Sequence, residues 1–320
     1  MIYRRAELHN HSTESDGSMT VEELLEWAEN NQYDVMALTD HNTCSGHGKA
    51  HRVIQENNLS VSLLEGVEVT TFYGHILALG LRKMVDFTGL NPMAPENFLQ
   101  ELRREGAAAI GIAHPFCLGR PVMAGCRFDM KIHDWNTLDY IEVFNTSAGT
   151  GTEAELSMGN EKALQLWEEK ALEGYSLAAV TGKDIHKKPG EWPVMVTYVQ
   201  LDNPDIKNPA QAVLGAILEQ RTIVTKGPLF YAQAAKGILT IQYDNTSSYL
   251  EWNTKWETTH PLLLIQDNLG NCLKYEVDLK EEKQEFKIAC EADRVVLRMY
   301  DGNIKFSSLL AAGVVVKQEK

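Results

Sequence analysis

Cysteine is sparse and shows no pattern. Cys44, Cys117, Cys126, Cys272 and Cys290 are odd in number, widely scattered, and form no CxxC pair. This argues against a disulfide framework and disfavours a thiolate-built structural zinc site, and it suits free thiols in a reducing cytoplasm, the expected location. Long apolar runs are missing too. The longest, residues 107–113 and 309–316, fall far short of the ~20 residues that cross a bilayer. The opening MIYRRAELHNHS has no apolar core of a signal peptide, so no membrane partner is expected. Positive charge is in deficit: 30 Lys and Arg stand against 44 Asp and Glu, a net of −14. A protein that coats long nucleic acid needs a cationic face, so that class falls away. There is no internal repeat and no low-complexity tract.

What is present reads as an ordinary globular chain, 44% hydrophobic and 23% charged over 320 residues. At roughly 100–200 residues per domain, this length predicts about two domains. The first part alternates short apolar runs with helical patterns. Strands are expected at 3–8, 35–39, 61–64 with 67–70, 75–79, 108–113, 139–144 and 176–181. Thr20-Val21-Glu22-Glu23 fits a capping box, and Leu24, Leu25, Trp27 and Ala28 supply the apolar face of the helix behind it. Further helices are expected over 95–104, with Gly106 as a stop, and over 159–173, with Gly174 after it. This alternation predicts an α/β fold with a largely parallel sheet, open or closed into a barrel. The pattern changes at Lys226-Gly227-Pro228. Strand-like runs follow at 238–243, 261–266, 273–279, 285–290, 295–300 and 313–317, with 281–284 read as a hairpin connection. The reading is residues 1–226 as one domain and 227–320 as a smaller, sandwich-like all-β domain.

The chemistry gathers where strands end. His9-Asn10-His11, Asp40-His41, His114 and Asp184-Ile185-His186 each sit at or just past the C-terminal end of a predicted strand, and Glu68 interrupts an apolar run. In a parallel α/β barrel those ends share one rim, where active sites are built. His9 and His11 are two apart, so on a strand both rings face one side and can share an ion. Taken singly, each feature has a bland reading: surface histidines, a capped turn, a boundary glutamate. Their joint occurrence is what points to metal, and mixed imidazole and carboxylate donors suit Zn²⁺, Mn²⁺ or Fe²⁺ better than Mg²⁺ or Ca²⁺.

Seven segments in order carry a family resemblance: His9-Asn10-His11, Ser15-Asp16-Gly17, Thr39-Asp40-His41-Asn42-Thr43, Gly66-Val67-Glu68, Gly74-His75, Ala113-His114-Pro115 and Asp184-Ile185-His186. Over about residues 3–225 the chain resembles the PHP (polymerase and histidinol phosphatase) superfamily. With the trailing β region it looks most like the carbaryl-hydrolase-like branch. The resemblance implies a distorted (β/α)7 barrel holding two or three divalent ions (Zn, Mn or Fe). One ion would take His9, His11, Glu68 and Asp184. A second would take Glu68, His75 and His114, and a third Asp16, His41 and His186. Glu68 becomes the bridging carboxylate, with Glu65 as a rival, and Glu68, Asp184 and His186 are the implied catalytic residues.

The resemblance departs in one place: where the family commonly has Gly-Ser-Asp-x-His, this chain has Gly182-Lys183-Asp184-Ile185-His186. Lys183 either binds a substrate anion or points away. Arg120, in a short loop after His114-Pro115-Phe116, is a second candidate anchor, because a guanidinium grips phosphate bidentately. Asn145, at a strand end, is a third. Asp40 either orients the neighbouring ring or caps its turn. His47, His51, His133 and His260 match no ligand position; His47 and His133 are candidate proton donors.

The implied function is a metal-dependent phosphoesterase that hydrolyses a small, anionic phosphorylated metabolite or nucleotide with a hydroxide shared by the metals. A carbamate or carboxylic ester hydrolase and a non-catalytic metal-binding or ligand-sensing module are the alternatives. Charge agrees with a small substrate. Residues 1–226 hold 31 acidic and 19 basic residues, a net of −12, and residues 227–320 hold 13 and 11, a net of −2. Long-range repulsion then disfavours large polyanions at the domain that carries the ligands.

Overall fold

Apolar runs of four to six residues are too short for stable helices and become buried strands once neighbours satisfy their backbone groups. The computed structural model describes residues 2–119, 121–147, 157–189, 195–203, 207–244 and 261–320. Its first nine strands are β1 (Ile2–Glu7), β2 (Val35–Leu38), β3 (Ser62–Thr71), β4 (Gly74–Leu79), β5 (Ala109–Ile112), β6 (Tyr140–Asn145), β7 (Ala178–Gly182), β8 (Val196–Leu201) and β9 (Thr222–Thr225). They lie in the order β9-β8-β1-β2-β3-β4-β5-β6-β7. The runs β1-β2-β3 and β5-β6-β7 are parallel. The runs β3-β4-β5 and β9-β8-β1 are antiparallel. The expected largely parallel sheet is therefore a mixed one, and the cause is local. Only Phe72 and Tyr73 separate β3 from β4, and a two-residue link permits only antiparallel pairing, since parallel strands need a crossover.

Helices α1 (Val21–Asn30), α2 (His47–Asn57), α3 (Glu96–Arg104), α4 (Asn160–Glu173) and α5 (Pro209–Leu218) cover this sheet. The capping box of α1 forms as its sequence predicts: the Thr20 hydroxyl accepts from Glu23 N–H, and the Glu23 carboxylate accepts from Thr20 N–H. The predicted pair of strands at 61–64 and 67–70 is one continuous strand, β3.

The remaining strands are β10 (Phe230–Ala235), β11 (Ile238–Tyr243), β12 (Pro261–Asp267), β13 (Cys272–Glu276), β14 (Lys283–Lys287), β15 (Arg294–Asp301) and β16 (Leu309–Glu319). Strands β13-β12-β15-β16 run on into the first sheet through β16–β9 pairing. Strands β10, β11 and β14 branch off through parallel pairing of β10 with the end of β16, with Leu239 and Ile241 in one core with Leu263, Ile265 and Leu297. Residues 281–284 are not the hairpin connection expected. Lys283 opens β14, which pairs with β11, while β13 pairs with β12. Phe286, buried between exposed Glu285 and Lys287, pairs across to Leu239 of β11 and shares its core, which ties the segment to β11. No described helix is long and apolar enough to cross a membrane.

Candidate metal centre

The candidate ligands reach one end of the sheet by separate routes. His9 and His11 follow β1, His41 follows β2, His114 follows β5, and Asp184 and His186 follow β7. Glu68 lies within β3, and its backbone bridges to His41. His75 is the second residue of β4, but that strand is antiparallel to β3 and its register sets His75 opposite Thr70, at the same end.

Glu68 is the centre. Its Oε1 lies 2.8 Å from His75 Nδ1 and 3.2 Å from His114 Nε2. Its Oε2 lies 2.8 Å from His41 Nδ1 and 3.3 Å from Nε2 of both His9 and His11. Asp184 Oδ1 is 3.0 Å from His11 Nε2, 3.5 Å from His9 Nε2 and 3.3 Å from His186 Nδ1. Asp16 Oδ1 is 3.4 Å from His41 Nε2 and 3.3 Å from His186 Nε2. Within each of four sets, donor atoms lie within 4.8 Å of one another: His9, His11 and Glu68; Glu68, His75 and His114; His9, His114 and Asp184; and His11, Asp16, His41 and His186.

The donors fit divalent ions. Glu68 Oε2 and Asp184 Oδ1 are buried and accept no hydrogen bond, although ring nitrogens crowd both. Nε2 of His9 and of His11 approach to 3.1 Å. Buried acceptors without donors are costly, and a cation among these atoms removes the cost. Electrostatics point the same way. Burial pushes the Glu68 carboxyl up, but the surrounding rings, His9 first, hold it well below the usual carboxylate range. Burial works against the charged forms of His11 and His114, yet Asp184 and Glu68 beside the first, and Glu68 beside the second, lift both to about 9. The carboxylates draw positive charge into a buried space.

Supporting contacts fix the rings. His9 Nδ1 meets Glu142 Oε2 at 2.7 Å, His114 Nδ1 meets the Cys126 carbonyl at 3.1 Å, and His41 Nδ1 also meets Thr70 Oγ1 at 2.5 Å. Asp40 neither orients the His41 ring nor caps a turn. Its carboxylate accepts from Ser12 N–H (2.7 Å), Ser12 Oγ (2.8 Å) and Ser15 Oγ (2.6 Å), which pins the loop between His11 and Asp16. Two candidate ligands have left-handed backbones, His114 at φ +26° and Asp184 at φ +50°. Such strain persists where surrounding structure fixes the residue, typically at functional sites.

The nine candidate ligands converge, but the other candidates divide. The Lys183 side chain is buried, with Nζ 5.6 Å from the Trp27 ring centroid and its charge facing Glu7 and Arg5. The structure therefore does not bring that ammonium into the ligand cluster. Asn145 is in the cluster, but its Nδ2 donates to Glu142 Oε1 (2.7 Å) and Asp184 Oδ2 (3.1 Å), and its Oδ1 accepts from Ser147 N–H (3.0 Å). Its amide is thus taken up by the protein rather than turned to a substrate. Arg120 and His260 lie outside the described residues. Glu65 faces His51 and Arg82. His47 points Nε2 at the Gly66 carbonyl (2.9 Å), and exposed His133 points Nε2 at the Met93 carbonyl (2.9 Å). Sequence reading misses Glu142, although an acid inside the apolar run of β6 is the same signal that marks Glu68 in β3.

Fold and site together define a mixed α/β protein with a buried imidazole–carboxylate cluster suited to divalent metals. The sequence matches the PHP domain family over residues 7–113. Among curated proteins, it is 32% identical over 111 residues to the 5'-3' exoribonuclease Rnm of Escherichia coli, covering 33% of this chain and 36% of that protein. It is 35% identical over 118 residues to the 3',5'-nucleoside bisphosphate phosphatase of Chromobacterium violaceum, covering 34% and 40%. The chain therefore spans well under half the length of these curated relatives. Among solved structures, the match to a two-domain protein from Bacteroides vulgatus, described as containing a predicted PHP-like metal-dependent phosphoesterase, covers 98% of this chain and 95% of that one. At a TM-score of 0.54 and 14% identity, that likeness is one of fold.

Proposed function

We propose that this protein is a metal-dependent phosphoesterase acting on a small phosphorylated metabolite or nucleotide. The observation that carries the reading is Glu68: a fully buried carboxylate with five imidazoles around it and one oxygen left without a hydrogen bond. Divalent ions bound there supply water that ionises near neutral pH and charge to offset phosphate oxygens. His9, His11, Glu68 and Asp184 would hold one ion, Glu68 with His75 and His114 a second, and Asp16, His41 and His186 a third. The side chains of Asp16 and His186 are 60% and 34% exposed, whereas His9 and Glu68 are fully buried. A substrate therefore meets the cluster at the Asp16–His186 edge, and the buried carboxylates act by fixing the ions beneath it. The names of the curated relatives favour phosphate esters. The strand-rich region from residue 227 onward favours the carbaryl-hydrolase-like branch, and with it a carbamate or ester substrate as the second reading.

Mono- and diester phosphates, nucleotides included, and aryl carbamates are to be assayed side by side with Mn²⁺ and with Zn²⁺. Metal-dependent phosphate release that EDTA abolishes is expected. Turnover confined to carbamates would overturn the phosphoesterase reading.

A further inference from the structure

The Glu142 carboxylate is 1% exposed, and both of its oxygens are engaged. Oε2 meets His9 Nδ1 at 2.7 Å, and Oε1 accepts from Asn145 Nδ2 at 2.7 Å. The same amide nitrogen donates at 3.1 Å to Asp184 Oδ2, the oxygen of that ligand turned away from the histidine cluster. One amide thus links two carboxylates and, through them, His9 after β1 to Asp184 after β7. Asn145 is itself clamped. Its backbone N–H donates to Asn160 Oδ1 (2.9 Å), and its carbonyl accepts from Asn160 Nδ2 (3.0 Å), where α4 begins. The space is also reserved. A Cβ on Gly182 would come within 2.5 Å of Glu142 Oε2 and 2.6 Å of His9 Cβ, so a larger residue there would push the carboxylate and ring apart.

We propose that Glu142 and Asn145 are a positioning pair that sets the orientation of His9 and Asp184 and thereby how tightly the protein retains metal. Partners of this kind fix the tautomer and angle of a ligating ring, and losing one typically weakens metal binding about 10–100-fold. Glutamine cannot replace Glu142 without loss. It has one carbonyl oxygen, while His9 Nδ1 and Asn145 Nδ2 each need an acceptor. The inference rests on the metal-centre reading above, but its test does not need turnover.

Metal-stripped wild type, Glu142→Gln, Asn145→Ser and Gly182→Ala are to be titrated with Mn²⁺ and Zn²⁺ by calorimetry. Thermal melts of the metal-free forms follow, together with visible spectra at saturating Co²⁺. Expected are a roughly 10–100-fold rise in Kd, altered Co²⁺ ligand-field bands, and metal-free melting close to wild type in at least one variant. Variants that lower metal-free melting but keep wild-type Kd and Co²⁺ spectra would reduce the pair to a folding role and overturn the proposal. A wild type that binds neither metal would overturn the metal-centre reading and this inference with it. If Glu142→Gln does not fold, Asn145→Ser decides alone, because it leaves the Glu142 contact to His9 in place while cutting the link to Asp184.

Discussion

Glu68 shows what one side chain does here. Burial alone would keep its carboxyl neutral, and the imidazoles reverse that, so the charge exists only because of its neighbours. Glu68→Gln preserves shape and removes the charge that both halves of the cluster face. Bound metal should fall by at least one ion per chain, and turnover by more than the about 100-fold upper range for losing a mere supporting partner. Elemental analysis alongside the phosphatase assay checks both; unchanged metal content would show that Glu68 is not a shared ligand. Most of the candidate ligands are legible in sequence because His9, His11, His41, His114, Asp184 and His186 follow the end of an apolar run, because Glu68 interrupts one, and because His9 and His11 keep strand spacing. What the sequence leaves open at Lys183 and Asn145 has one shared reason. Position beside a ligand says a side chain is near the site, but not which way it turns. Lys183 turns its stem and ammonium toward Trp27, and Asn145 spends its amide on two carboxylates.

Among the elements, α1 and the loop before it show how local sequence sets site geometry. The capping box fixes where the helix starts; Thr13 N–H to the Met19 carbonyl (2.9 Å) folds the loop onto that start, and Ser18 N–H to the His186 carbonyl (2.8 Å) ties it to the segment after β7. Thr20→Ala should cost about 1 kcal/mol, with Thr20→Ser close to neutral, as read from urea midpoints. A loss equal in both variants would mean that the hydroxyl cap is not what holds this end. The cap is legible because its two partners are three residues apart. Helix α2, strand β8 and helix α5 go unread, and their sequences show why. Helix α2 buries only His47 and Ala50, so its apolar stripe is faint. Strand β8 is buried at nearly every position and loses the alternation that marks a half-exposed strand. Helix α5 is apolar on most sides, which blurs its period.

At the scale of the whole molecule, the strand-rich C-terminal region is fastened to the elements behind the candidate metal centre. Strand β16 pairs with β9, Phe306 stacks on Phe144 of β6 at 5.2 Å, and Arg294 Nη1 donates to the Ala171 carbonyl of α4 at 3.1 Å. A buried ion pair adds to these: Arg298 on β15 grips the Glu168 carboxylate of α4 through Nε and Nη2 and also reaches Tyr300 Oη at 3.2 Å. The Glu168 side chain is 6% exposed and that of Arg298 16%. Burial still raises the Glu168 carboxyl despite the guanidinium, so the pair holds a charge the interior resists. Arg298→Met removes the counter-charge and leaves the carboxylate buried, which should destabilise the protein by about 3–5 kcal/mol. Replacing both partners, Glu168→Leu with Arg298→Met, removes the desolvation penalty together with the attraction and should recover most of that loss. Urea unfolding of the two single variants and the double completes the cycle. A double variant as unstable as Arg298→Met would mean that shape at this contact matters more than charge. Because α4 starts at Asn160, which clamps Asn145, the single variant should also loosen the backbone that carries the positioning pair, while a repacked double variant should leave it in place.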